Sequence, residues 1–226
     1  MFTEYKIKWI NNHILIDDEQ GLLIDTGSPT SFHSSGVIKL CGQSIKVPTT
    51  TMGVSNTYLQ EKISTDIYGL IGTDIIASHP TLFNLQRGGD FIFMDDDTEY
   101  MTKLQTMSLM GLYVIFLWVD GNKVKMIFDT GAPISYIRSS LTEPHTTIRQ
   151  EQDFSPLFGD FNADIIKLPT KIMEDFPTEE MELGQSKEID KALSLLGVDG
   201  IIGTELLKHY RIQINHKDVV LPPQGI

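Results

Sequence analysis

One cysteine, Cys41, stands among 226 residues, so no disulfide can form within the chain. That fits a reducing compartment. A lone thiol reads as a small, half-buried apolar group without chemistry of its own. Positive charge is also scarce: 18 Lys and Arg face 30 Asp and Glu, a net charge of −12. Phosphate-backbone binding depends on Lys and Arg, so this balance argues against a nucleic-acid partner. No apolar run is long enough to cross a bilayer. The longest, Leu109 to Val119, includes Gly111 and reads as a buried strand. The stretch from Met1 to Ile10 alternates and carries charge, so it has no signal-peptide core. These absences predict a soluble cytoplasmic protein without membrane contact. The six histidines (His13, His33, His79, His145, His209, His216) are scattered without metal-ligand spacing, which predicts neither a metal nor any other cofactor. Ser28, Ser31 and Ser135 lack a histidine partner in any recognisable motif, which excludes a serine hydrolase.

What the chain does have is Asp-Thr-Gly twice, each time after an apolar run. The copies are Leu22-Leu23-Ile24-Asp25-Thr26-Gly27-Ser28 and Met126-Ile127-Phe128-Asp129-Thr130-Gly131-Ala132. A strand that ends in a carboxylate, repeated once per half, lets one chain bring two acids face to face. Two carboxyl groups held that close share a proton and act as acid and base together. A single Asp-Thr-Gly also reads as a plain strand-end turn, since all three residues favour turns. The repeat and its surroundings speak for more.

The halves match around these motifs. Tyr5 to Ile10, then His13 to Ile16 and Leu22 to Ile24, read as a strand and a hairpin; Leu112 to Val119 and Val124 to Phe128 repeat the hairpin around Asp120-Gly121-Asn122. Downstream, Tyr68-Gly69-Leu70-Ile71-Gly72-Thr73-Asp74 pairs with Asp199-Gly200-Ile201-Ile202-Gly203-Thr204-Glu205. Each reads as a buried strand, a Gly where backbones approach, and a short helix capped by Thr. Each half then ends in a hairpin, Leu82 to Met94 and Arg211 to Leu221. Asp95-Asp96-Asp97-Thr98-Glu99 reads as the solvated linker between lobes 1–100 and 101–226.

The second half is longer. The turn Leu40-Cys41-Gly42-Gln43 is matched to Leu183-Gly184-Gln185, which places an insert at roughly Leu141 to Met181. Its apolar tip, Phe154-Ser155-Pro156-Leu157-Phe158-Gly159-Asp160-Phe161-Asn162, carries turn residues.

With two Asp-Thr-Gly copies, each followed by its own apolar-apolar-Gly motif, the chain resembles the aspartic proteases of the pepsin and retropepsin clan. The resemblance covers nearly the whole chain. It implies an all-β, pepsin-like acid protease fold: two pseudo-twofold-related β lobes with a short helix in each and a substrate cleft between them. The lobes look retropepsin-sized but fused, so the resemblance implies a monomer. It also implies an aspartic endopeptidase acting on a peptide or protein substrate, with an apolar preference at the scissile bond. Asp25 and Asp129 would then be catalytic. Thr26 and Thr130 would bond the opposite lobe's backbone, and Gly27 and Gly131 would leave room beside the acids. The first half is too short for a pepsin flap, which places the flap in the second half, with Phe154, Phe158, Gly159 and Phe161 as its substrate-binding residues. No Tyr lies in that insert to match the family's flap tyrosine. The short stretch ahead of Asp25 predicts no pro-segment.

Ser28 and Ala132 occupy equivalent positions, and only Ser28 has a hydroxyl to donate to its aspartate. That predicts Asp25 as the more readily ionised partner. Two alternatives stay open. One is a catalytically weak or inactive peptide-binding protein on the same fold. The other is an actin-like nucleotide-binding protein, against which Pro29 and Pro133 speak, since each removes an amide that a phosphate would use.

Overall fold

The computed structural model describes residues 2–85, 89–94, 102–142, 144–156 and 158–222. The expected linker at 95–99 and the lobe boundary at 100/101 lie outside these residues.

Short apolar strands joined by tight turns make the architecture almost wholly β. Asn11 and Asn12 both take positive φ between strands Phe2–Ile10 and His13–Ile16, and Asp120-Gly121 does the same between Leu112–Val119 and Asn122–Phe128. Two consecutive left-handed residues give the turn whose twist matches that of paired strands. Met110 and Gly111 form another such turn, so Leu109 to Val119 is not one strand: Thr106–Leu109 pairs back on Leu112–Val119.

Within each half the chain makes the same crossing. Strand Leu22–Ile24 runs parallel to Gly69–Ile71, with Ile24 opposite Ile71. Strand Asn122–Phe128 runs parallel to Gly200–Ile202, with Phe128 opposite Ile202. These pairs are buried on both faces, which suits their unbroken Leu, Ile and Phe.

Four helices occur among the described residues: α1 (Asn56–Ile63), α2 (Thr73–Ile76), α3 (Lys187–Leu196) and α4 (Glu205–His209). The expected helices after Gly-Thr are α2 and α4. Neither Thr caps through its hydroxyl, contrary to expectation. Thr204 Oγ1 donates instead to the Asn12 carbonyl at 3.0 Å, bonding the two halves. The longer α1 and α3 are a second equivalent pair. Each begins at a serine that accepts an amide hydrogen bond, Ser55 from Tyr58 and Ser186 from Ile189, and each ends at a left-handed residue, Ser64 or Gly197.

The sheets do not follow the simple division of the chain into consecutive lobes. The C-terminal hairpin, Ile212–Asn215 with Asp218–Leu221, pairs through Ile212↔Phe83 with strand Thr81–Asn84 of the first half. A ten-stranded sheet therefore contains strands from both ends of the chain, beside an eight-stranded sheet built from the second half. A core running from Ile14 through Phe83 and Phe128 to Leu221 joins them. Smaller clusters lie under α1 (Leu15, Leu23, Phe32, Leu59, Ile63) and under α3 (Val114, Ile127, Tyr136, Ile189, Leu193).

The matched turns prove unlike. Leu40-Cys41-Gly42-Gln43 is the turn of a hairpin, Val37–Leu40 with Gln43–Lys46, whereas Leu183-Gly184-Gln185 ends strand Glu179–Gln185, flanked by two other strands. The insert folds as a long hairpin, Arg149–Ser155 with Gly159–Lys171.

Candidate active site

Each Asp-Thr-Gly leaves the end of a buried strand, and the backbone aims the acid. The Asp25 amide donates to the Ile71 carbonyl (2.9 Å) and the Asp129 amide to the Ile202 carbonyl (3.0 Å). The Gly27 and Gly131 amides donate to Oδ1 of Asp25 and Asp129 at 2.8 and 2.9 Å. Glycine at the third position is demanded by the other half. A methyl group on Gly27 would overlap the Asp129 carboxyl group, and one on Gly131 would stand 2.5 Å from Asp25 Oδ1. Each acid thus lies against the glycine of the opposite loop, and the two side chains are close enough to bear on each other's protonation.

The threonines cross over. Thr26 Oγ1 donates to the Phe128 carbonyl (2.7 Å) and accepts from the Thr130 amide (2.9 Å). Thr130 Oγ1 donates to the Ile24 carbonyl (2.9 Å) and accepts from the Thr26 amide (3.0 Å). Both threonines are fully buried. Four hydrogen bonds thereby tie the loops together just below the acids.

Ser31 and Ser135, six residues after their aspartates, also act as a pair. Their hydroxyls accept the amides of Gly72 (2.8 Å) and Gly203 (3.0 Å), pinning each loop to its downstream motif. Their common offset from Asp25 and Asp129 was the available signal; a search for nucleophiles passed over it.

Burial raises the pKa of both acids. Asp25 is pushed well up, first by desolvation and then by the charge of Asp129, against the hydrogen bonds from the Gly27 and Ser28 amides. Asp129 is also raised by desolvation, while the hydrogen bond from Asp25 and the Gly131 and Ala132 amides hold it down. The pair keeps a shared proton to a higher pH than a lone aspartate. The hydroxyl on which the expected order of ionisation rested is not directed at Asp25. The Ser28 hydroxyl donates to the Thr30 carbonyl (2.9 Å), so only its amide faces Asp25, as the Ala132 amide faces Asp129. Ser28→Ala is therefore expected to leave the pH dependence of the site unchanged and to cost about 1 kcal/mol of stability; a displaced pH–rate profile would contradict this.

Both aspartates remain half-exposed at the residue level, so the carboxyl groups are enclosed but reachable. The insert hairpin packs against α1 and Tyr136. Phe154 packs edge-on against Tyr58 of α1, with centroids 5.9 Å apart, and Lys62 of α1 pairs with Asp160. Phe161 is buried beside Tyr136, Phe158 stands at the tip against Phe161, and Gly159 turns the chain with φ +78°. Leu157 lies outside the described residues. The hairpin at residues 37–46 lies on its own half instead: Ile38 and Leu40 are buried in the main core, and Gln20 bonds Lys39. A cleft of about 470 Å³ opens between the Asn11-Asn12-His13 turn, α1, Pro133-Ile134 and the insert hairpin. Tyr136 and Asp153, which sequence reasoning did not single out, meet there: the Tyr136 hydroxyl donates to Asp153 Oδ2 at 2.5 Å.

No protein-family model matches the sequence, and no curated protein matches it significantly. Among the described residues, no helix is long and apolar enough to cross a membrane. The fold, by contrast, is similar to solved structures. Basic 7S globulin from soybean superposes with a TM-score of 0.55 at 10% identity, over 97% of this chain and 94% of that one. The aspartic proteinase from Irpex lacteus superposes with a TM-score of 0.52 at 12% identity, over 99% and 98%. Such identities speak for fold alone: the chain has the all-β, two-bodied architecture of the pepsin-like aspartic proteinases.

Proposed function

We propose that the protein is a single-chain aspartic endopeptidase with two lobes of retropepsin size, cutting peptide bonds through a water held by Asp25 and Asp129. The observation that carries this reading is the pair of acids at the junction of the two halves, each against the glycine of the opposite loop and each with one glycine amide on its Oδ1. In the reactive state Asp129 is ionised and Asp25 protonated. Asp129 takes a proton as the water oxygen attacks the peptide carbonyl carbon. Asp25 gives its proton to the carbonyl oxygen, leaving a neutral gem-diol. A proton returned to the peptide nitrogen lets the C–N bond break. The threonine crossing keeps the two carboxyl groups in register through these transfers, and the insert hairpin serves as the flap. Peptides and proteins are the substrates; nucleic acid is not a partner of so acidic a chain. One chain supplies both acids, which suits a monomer, and the single cysteine suits the cytoplasm.

The test is digestion of a peptide library across about pH 3–8, with a statine-type transition-state mimic as inhibitor. The expected profile is bell-shaped. Its alkaline limb lies above the ordinary carboxylate range, because burial and mutual charge hold the shared proton. An optimum lying wholly below about pH 3 would count against the reading.

One observation favours a second reading, a peptide-binding protein without turnover. The hairpin is fastened to α1 by Lys62–Asp160 and Phe154–Tyr58, which ties down the element that would have to move as a flap. One of the similar structures, moreover, is named a globulin and not a proteinase. Tight binding of the statine-type peptide with no cleavage of any library member would select it.

A further inference from the structure

The cleft at the insert hairpin, which neither Asp25 nor Asp129 lines, carries an unbalanced charge. Its walls hold Glu61, Glu151, Asp153 and Asp160 but only one Lys, Lys62. Lys62 is already engaged by Asp160 and lies over the Phe154 ring. Glu151 is paired with Arg149. His13 is buried in the floor, and desolvation pushes its pKa down. Asp153 is left. It is half-buried and accepts two hydrogen bonds, from the Tyr136 hydroxyl and the Phe154 amide (2.8 Å), and no cation stands within ion-pairing distance of it among the described residues. The residues around it place it at the site: Pro133 and Ile134, which share its cleft, follow Asp129-Thr-Gly-Ala directly, and its charge reaches Asp129.

We propose that this cleft is the subsite for a cationic substrate side chain, lysine or arginine, and that Asp153 is the residue that receives it. The inference rests on the proteolytic reading and replaces the apolar preference implied by family resemblance at this position. The walls suit such a side chain along its whole length. Ile134, Pro133 and Phe154 offer apolar surface to the methylene stem, and Asp153 sits where the charged head would end. The hydrogen bonds from the Tyr136 hydroxyl and the Phe154 amide fix the carboxylate without supplying a counter-charge. An arriving ammonium or guanidinium would supply the missing counter-charge to a carboxylate that burial otherwise penalises. An apolar side chain would cover Asp153 and leave it uncompensated. An acidic one would meet like charge from Asp153 and Glu61.

The test uses otherwise identical peptides with lysine, norleucine or glutamate placed in turn at each position flanking the scissile bond. A parallel set carries a statine unit in its place. Norleucine keeps the lysine stem and lacks the charge. Cleavage is read as kcat/KM, and the statine set as Kd by calorimetry, on the wild-type protein and on Asp153→Asn. The asparagine keeps the shape and can still accept from Tyr136. At one position the wild type is expected to prefer lysine over norleucine by about tenfold or more, and Asp153→Asn to bring that ratio near one. The ratio is unaffected by any loss of folded protein, so a merely structural role for Asp153 would not move it. Cleavage without a lysine preference, or a preference that survives Asp153→Asn, overturns the subsite and leaves the endopeptidase standing. A lysine preference in binding, lost in Asp153→Asn, with no cleavage anywhere, overturns the endopeptidase and upholds the subsite. Neither binding nor cleavage overturns both.

Discussion

Asp25→Asn is expected to abolish peptide cleavage and to make the protein more stable at neutral pH. The loss follows from the proton inventory. Asparagine can neither hold the shared proton nor lend it to the carbonyl oxygen, so turnover should fall by about 10³–10⁴-fold. The gain follows from the raised pKa of Asp25, whose first cause is burial and second the charge of Asp129. Below the ordinary aspartate pKa the group is protonated in both folded and unfolded chains and contributes nothing to the difference. As pH rises, the unfolded chain ionises first. The folded chain loses stability through the interval up to its own, higher pKa and stays weaker above it. Asparagine removes this penalty. At pH 7 the variant should gain about 0.5–2 kcal/mol, which for a chain of this size is about 2–6 °C in Tm. At acid pH the gain should vanish. Thermal unfolding of both proteins at the two pH values reads the effect directly. Parallel curves with no added stability at neutral pH would mean that the acids do not press on one another. Asp129→Asn should act in the same direction with a smaller gain, because the hydrogen bond from Asp25 already holds Asp129 down.

The sequence made some parts of this molecule legible because their signals are local. Apolar runs ending in Asp-Thr-Gly, and apolar-apolar-Gly-Thr further on, announce the two strand crossings, since each needs buried side chains on both faces and a residue without a Cβ at the contact. Helix α1 was hidden because its apolar face is narrow: only Leu59 and Ile63 are buried, and its polar residues read as loop. The place of Ile212–Leu221 beside Thr81–Asn84 was not readable, because strand partners far apart in the chain leave no mark on either strand. The Ser28 hydroxyl shows the limit at a site. Residue type says what Ser28 could donate, but the loop's turn puts the Thr30 carbonyl within its reach and makes that the acceptor. Asp153 and Tyr136 are the converse case. Neither stands in a motif, and only the folding of hairpin 149–171 back over strand Ser135–Ile137 brings them together.

The second large effect is expected at the threonine crossing. Thr26→Val keeps the shape of the side chain and removes the hydroxyl that donates to the Phe128 carbonyl and accepts from the Thr130 amide. Both orphaned groups lie where Thr26, Phe128 and Thr130 are fully buried, so water cannot replace the lost partner. Each unsatisfied buried group costs about 1–3 kcal/mol, which puts the substitution at about 2–4 kcal/mol, a large share of a domain's stability. Because the crossing also sets how the two carboxyl groups face each other, cleavage should drop by about 10²-fold in protein that remains folded. Thr26→Ser is the control. It restores the hydroxyl at the expense of one methyl group and should recover most of the stability and activity. Thr130→Val should match Thr26→Val, since its hydroxyl makes the same two bonds to the other half. The double variant should cost less than the two single losses combined, by about 0.5–3 kcal/mol, because the first substitution already loosens the contact that the second would break. Urea unfolding of the wild type and the four variants, with activity assayed alongside, measures every term. If Thr26→Ser proves as unstable as Thr26→Val, packing and not hydrogen bonding joins the two loops, and the crossing is not what aligns Asp25 with Asp129.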